Sequence, residues 1–202
     1  MSLKSKETIE SESNIKKNSI SFLDDFKNEI FLKIKILKKD IGKKIYYVDN
    51  TNFSDWETKK MHKHDFLKEL NELNTKVFIN DKEIKYNKYF IPKADGIYDI
   101  KIIISIKMKD CSYMFSDCGN ILSIDLSNFD SSNVTRLDHM FYECYLLNSI
   151  NFDNFYTTEV VDMSYMFLKC TKLQNLDISS FDVNKVEKML DMFLDCTELK
   201  TV

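Results

Sequence analysis

Glycine, proline, arginine and alanine are nearly missing from this chain of 202 residues: it has 3 Gly and 1 Pro, Arg136 is its one arginine and Ala94 its one alanine. Turns therefore fall to Asn, Asp, Ser and Thr, whose side chains bond local backbone amides. The glycines, Gly42, Gly96 and Gly119, form no phosphate-cradling loop. No apolar run approaches the ~18 residues needed to cross a bilayer. The opening, Met1-Ser2-Leu3-Lys4-Ser5-Lys6-Glu7, lacks the apolar core of a secretory signal, so a cytoplasmic location is expected. A basic surplus is missing too: 29 basic residues face 32 acidic ones, for a net charge of -3, which disfavours a nucleic-acid partner. What the chain does have is 44% hydrophobic and 30% charged residues, enough for one globular domain or two small ones. Lys, Asn, Ile, Phe and Tyr abound, as A/T-rich codons would give.

The second half is organised by a repeat. Met114-Phe115-Ser116-Asp117-Cys118 recurs as Met140-Phe141-Tyr142-Glu143-Cys144, Met166-Phe167-Leu168-Lys169-Cys170 and Met192-Phe193-Leu194-Asp195-Cys196, each copy 26 residues after the last. Other columns keep the register: Ile121, Leu147, Leu173 and Leu199; Ile124, Ile150, Leu176 and Val202; Phe129, Phe155 and Phe181. The units run 108–133, 134–159 and 160–185, with a partial unit over 186–202.

Within a unit, Leu176 and Ile178 alternate with Asp177, which predicts a short strand with one buried face. Apolar residues at 160, 163, 166, 167 and 170 fall near helical period and predict a short helix or helical turns opposite the strand. One unit cannot bury its own apolar face, whereas stacked copies can. The expected arrangement has parallel strands lining a concave face and helical turns outside.

The pattern Met166-Phe167-Leu168-Lys169-Cys170-Thr171-Lys172-Leu173-Gln174-Asn175-Leu176-Asp177-Ile178-Ser179-Ser180-Phe181-Asp182 resembles the BspA-like leucine-rich-repeat surface proteins. The resemblance covers residues 108 to 202. It implies an α/β fold, a short leucine-rich-repeat solenoid, and a surface protein engaged in adhesion or binding. Two features depart from that pattern. The opening has no export signal, and the repeats reach Val202 in mid-unit without a polar cap, which reads as a fragment, an unusual end, or an edge covered by a partner.

Before the repeats the chain reads differently. Residues 1–27 are mostly polar and charged, and are expected to form a disordered tail. Residues 28–107 read as a small β-rich domain capping the solenoid. Ile30, Leu32, Ile34 and Ile36 alternate with Lys33 and Lys35, a half-buried strand. Ile45 to Val48 is a second strand, Asp49 to Glu57 a loop with Trp56 as anchor, and His62 to Leu73 a helix carrying Phe66, Leu67, Leu70 and Leu73. Val77-Phe78-Ile79 and Ile84-Lys85-Tyr86 flank a hairpin turn. From Ile97 to Met108 a strand places Tyr98, Ile100, Ile102, Ile104 and Ile106 on one face, and this last strand is expected to cover the first repeat's exposed edge.

Chemistry is sparse. The five cysteines, Cys111, Cys118, Cys144, Cys170 and Cys196, lack zinc-site spacing and read as buried free thiols. His62 and His64 read as exposed, and His139, which alternates with Tyr113, Tyr165 and Asp191 between units, reads as solvent-facing. No catalytic residue, cofactor or metal is expected. The candidate partner-binding residues are the small polar ones between buried strand positions: Ser123, Asp125 and Ser127; Ser149, Asn151 and Asp153; Asn175, Asp177 and Ser179. The expected function is non-enzymatic protein–protein interaction through this concave face. The alternative, implied by the family resemblance, is a cell-surface adhesin binding host or matrix proteins or glycans.

Overall fold

The computed structural model describes residues 28–50 and 67–202. Its centre is a sheet of six strands in the order β4-β3-β6-β1-β7-β8. The strands are β1 (Asn28–Ile36), β3 (Thr75–Ile79), β4 (Lys82–Ile84), β6 (Gly96–Ile104), β7 (Ile121–Asn128) and β8 (Ser149–Asn151). A separate pair joins β2 (Ile45–Tyr46) to β5 (Tyr89–Phe90). Only β7 and β8 are parallel; the other neighbours in the large sheet run antiparallel.

β1 follows from its alternation. Ile30, Leu32, Ile34 and Ile36 are buried, while Phe31, Lys33 and Lys35 take the other face. Opposite them on β6, Ile100, Ile102 and Ile104 are buried as well. The β3–β4 hairpin forms as expected. Its two turn residues, Asn80 and Asp81, both have positive φ, 48° and 63°, which suits the twist of a two-residue hairpin.

The fold corrects several expectations. It is not an α/β leucine-rich-repeat solenoid: among the described residues there is no α-helix, only a three-residue 3-10 turn at Lys38–Asp40, and the repeat strands belong to the mixed six-stranded sheet. The helical period over 160–170 comes from successive turns. Met166, Leu168 and Cys170 donate backbone N–H bonds to residues three earlier, Met163, Tyr165 and Phe167. Tyr165 and Lys169, both at φ 61°, break any continuous helix. Strand structure also fades along the repeats, from eight residues in β7 to three in β8 and a single bridge, Asn175 with Thr201, beyond. The expected helix over His62 to Leu73 is not seen where it is described: residues 67–73 form turns, with Leu67 and Leu70 buried and Leu73 exposed. Residues 1–27, Trp56, His62, His64 and Phe66 lie outside the described residues.

The 26-residue register is nonetheless read directly in the contacts. At each junction four amides of one unit donate to carbonyls of the next; between the second and third units these are Leu137 to Asp162, His139 to Ser164, Phe141 to Met166 and Glu143 to Leu168. Phe115, Phe141, Phe167 and Phe193 stack ring on ring with centroids 5.6, 5.3 and 5.5 Å apart. The thiols of Cys144, Cys170 and Cys196 each donate to the carbonyl of the preceding unit's Phe at 3.0 to 3.1 Å. All five cysteines are free, and burial pushes the thiols of Cys118, Cys144 and Cys170 well above their ordinary pKa. Charge follows the same column order: Asp110, Arg136, Asp162 and Lys188 meet in successive bridges.

The first half does cover the first repeat's edge, but with β1 rather than with β6 as expected. β1 pairs with β7 and β6 lies one strand further out. Hydrogen-bond demand explains the choice. Asn28, fully buried, donates Nδ2–H to the Ile106 carbonyl (3.0 Å), and its Oδ1 accepts from the Asp130 amide (2.6 Å). Asp49 N–H donates to the Met114 carbonyl and Asn50 N–H to that of Ser116. These two residues serve the first unit's acceptors as a preceding unit would.

Candidate functional site

The sheet has one face in the core and one open. On the open face the registers align a row across five strands: Phe78 opposite Lys101, Lys101 opposite Phe31, Phe31 opposite Asp125, and Asp125 opposite Asn151. A second row beside it runs Asp99, Lys33, Ser123 and Ser149. Together with Asp81 at the hairpin tip these residues line a groove of about 570 Å³.

Opposite charges and rings set the groove's surface. Lys33 Nζ lies 2.7 Å from Asp99, and Lys101 Nζ 2.7 Å from Glu29. Lys101 also sits over the Phe31 ring at 5.2 Å, a cation–π contact between neighbouring strands. Phe31 remains 37% exposed, an apolar plateau with ion pairs at its margins.

The expected residues divide into groups. Ser123, Asp125, Ser149 and Asn151 line this groove. Asn175, Asp177 and Ser179 lie on the continuation of the face beside Ile150, in a shallower depression with Thr201 and Val202, and Asn151 and Asp153 meet Asp177 and Ser179 in another. Ser127 lines none of these three depressions. Asp125, Asn151 and Asp177 each spend one side-chain oxygen on the amide two residues on, at 2.9 to 3.0 Å. Their first task is thus to shape the turn. For Asp177, hydrogen bonds from the Ser179 hydroxyl and amide hold its carboxyl below the usual range.

Phe31, Lys33, Phe78, Asp99 and Lys101 were not among the expected site residues. The signal for them was present in the alternation of the first strand: if Ile30 and Leu32 face the core, Phe31 and Lys33 share the opposite face. The missing step was that this strand adjoins the repeats, so that its outer face continues theirs.

His139 is corrected. It is buried, not solvent-facing, and stacks between Tyr113 (4.4 Å) and Tyr165 (4.7 Å). In the first three units a planar ring, Tyr113, His139 or Tyr165, fills the same slot, while Asp191 of the partial unit is exposed. Its Nδ1 lies 3.3 Å from Asp138. Burial alone would raise the Asp138 pKa, but the hydrogen bond with His139 and the charge and hydrogen bonds of Arg136 outweigh it and hold the carboxyl below its ordinary value. Among the described residues, no group of three or more His, Cys, Asp or Glu side chains is placed to hold a metal ion. No helix among them is long and apolar enough to cross a membrane.

Comparison with known proteins bears on the repeats. Residues 109–201 match the profile of a family described as "Mycoplasma protein of unknown function, DUF285". No curated protein and no solved structure matches the chain. This match corrects the leucine-rich-repeat and BspA-like labels: the repeats are similar to a mycoplasma family whose description assigns no function, and they stand in a β-sheet fold without an α/β solenoid.

Proposed function

We propose that the protein is a non-enzymatic protein-binding module whose contact surface is the open face of the six-stranded sheet. One observation carries this reading: Phe78, Lys101, Phe31, Asp125 and Asn151 form an unbroken row across five hydrogen-bonded strands. A row of this kind offers apolar area with ion pairs at its margins on a backbone that cannot rearrange cheaply, which lowers the ordering cost of binding. An exposed aromatic ring such as Phe31 is also a residue type enriched at protein interfaces. A cytoplasmic site of action belongs to the same proposal.

The test is affinity capture from the source cells, followed by direct titration of the captured, purified protein. A Phe31→Ser/Asp125→Ala double variant should bind it at least about tenfold more weakly than the unaltered chain. Equal affinity of the two would remove the sheet face from consideration.

A further inference from the structure

The groove on the open face is uneven in charge. The charged side chains that line it are Lys33, Asp81, Asp99, Lys101 and Asp125. Both lysines are already paired, Lys33 with Asp99 and Lys101 with Glu29. Among the described residues no cation lies within ion-pair distance of Asp81 or Asp125. The Asp125 side chain accepts one hydrogen bond, from the Ser127 amide (2.9 Å).

These two carboxylates stand on either side of an aromatic floor. Asp81 belongs to the turn between β3 and β4, and Asp125 to β7; Phe31 on β1 lies between them and next to Asp125 in register. From β3 to β7 there are three strand spacings, about 14 Å in all. In an extended chain, residues four apart are separated by about 13 Å and point to the same side, as does the residue midway. The groove's volume, about 570 Å³, suits a segment of chain rather than a folded domain.

We propose that the groove receives an extended segment of a partner protein in which one apolar residue has Lys or Arg two positions before it and two positions after it. The apolar side chain lies on Phe31, and the two cations meet Asp81 and Asp125. Charge complementarity selects this occupant. Each cation of the groove is already neutralised by a carboxylate, so an acidic segment would meet Asp81 and Asp125 without a lysine to answer it. The inference rests on the sheet-face reading above and adds to it the chemistry of the partner.

The test is an NMR titration of the full chain with two capped synthetic peptides, Ser-Lys-Ser-Phe-Ser-Lys-Ser and its charge-reversed form Ser-Glu-Ser-Phe-Ser-Glu-Ser. The lysine peptide should shift the amides of Phe31, Ser123, Asp125 and Asn151, and should bind about tenfold more tightly than the glutamate peptide. Asp81→Asn/Asp125→Asn in the chain should remove most of that preference. This double variant should keep the melting temperature of the parent. Asn151 accepts from the amide two residues on as Asp125 does, so asparagine preserves that turn, and Asn80 already adopts the positive φ that Asp81 has. Equal affinity of the two peptides, or a preference unchanged in the variant, would overturn the basic partner and leave the sheet face standing as the contact surface. Shifts centred away from the groove, or none with either peptide at millimolar concentration, would remove both.

Discussion

Phe141 and Phe193 stand in the same column of the same motif, yet the first is fully buried and the second only half-buried. The motif is identical in both; the neighbours differ. Burial in this molecule is thus conferred on a unit by the units or strands beside it, and a single unit has no core of its own. The beginning of the array makes the same point from the other side. There β1 and the Asp49–Asn50 segment stand in for a preceding unit, and Phe115 is as buried as Phe141.

The contrast is broken most directly by truncating the two rings. Phe141→Ala should lower the unfolding free energy by about 3–5 kcal/mol, as deletion of a sealed aromatic does. Phe193→Ala should cost no more than about half of that, since part of its surface is in water already. Urea titration of both variants decides it, and equal losses would mean that neighbours do not set the value of the site. Next in size is the junction. Asn28→Leu leaves the half-buried Asp130 amide and Ile106 carbonyl without their partner, and should cost about 2 kcal/mol. Faster exchange of the β7 amides would show the first strand loosening from the repeats.

A third probe uses pH. The Asp138 carboxyl has a folded pKa below its ordinary 3.8. Its stabilising contribution is therefore present above that value and is lost as the pH falls through the lower, folded pKa. Asp138→Asn should remove this acid-sensitive portion, so that the stabilities of variant and parent converge once the pH falls below the folded pKa. Parallel pH profiles down to pH 2 would show that Arg136 and His139 do not hold the carboxylate. The smallest effect is expected at Asp177, which is exposed and bonded only within its own turn. Asp177→Ala should leave the melting temperature unchanged; a shift comparable to that of Phe141→Ala would mean that the inner and outer faces are misassigned.

What could be read from the residues depended on how local the determinant was. The 26-residue register, the buried thiols, the alternation of β1 and the hairpin at Asn80-Asp81 are written in neighbouring side chains. Of the expected short helix or helical turns over 160–170, the structure has turns: bonded every third residue, they put Met163, Met166, Phe167 and Cys170 on one side much as a helix does. Telling the two apart requires knowing that Tyr165 and Lys169 adopt positive φ, and neither residue type announces it. The site was half legible. Asp125 and Asn151 could be placed on an outward face from their own strands, but Phe31 and Lys101 joined them only through pairings between β1, β6 and β7, which span about half the chain.

The alternating signs at Asp110, Arg136, Asp162 and Lys188 have a consequence for how this sequence can change. Excising residues 134–159 would leave every greasy column continuous, so hydrophobicity alone would accept the shortened protein. It would also bring Asp110 against Asp162, carboxylate to carboxylate, and delete Glu159 and Glu143, the ion-pair partners of Lys185 and Lys169. The modules share a shape but carry an order, and recombination that scrambles the order meets repulsion where the parent sequence has attraction.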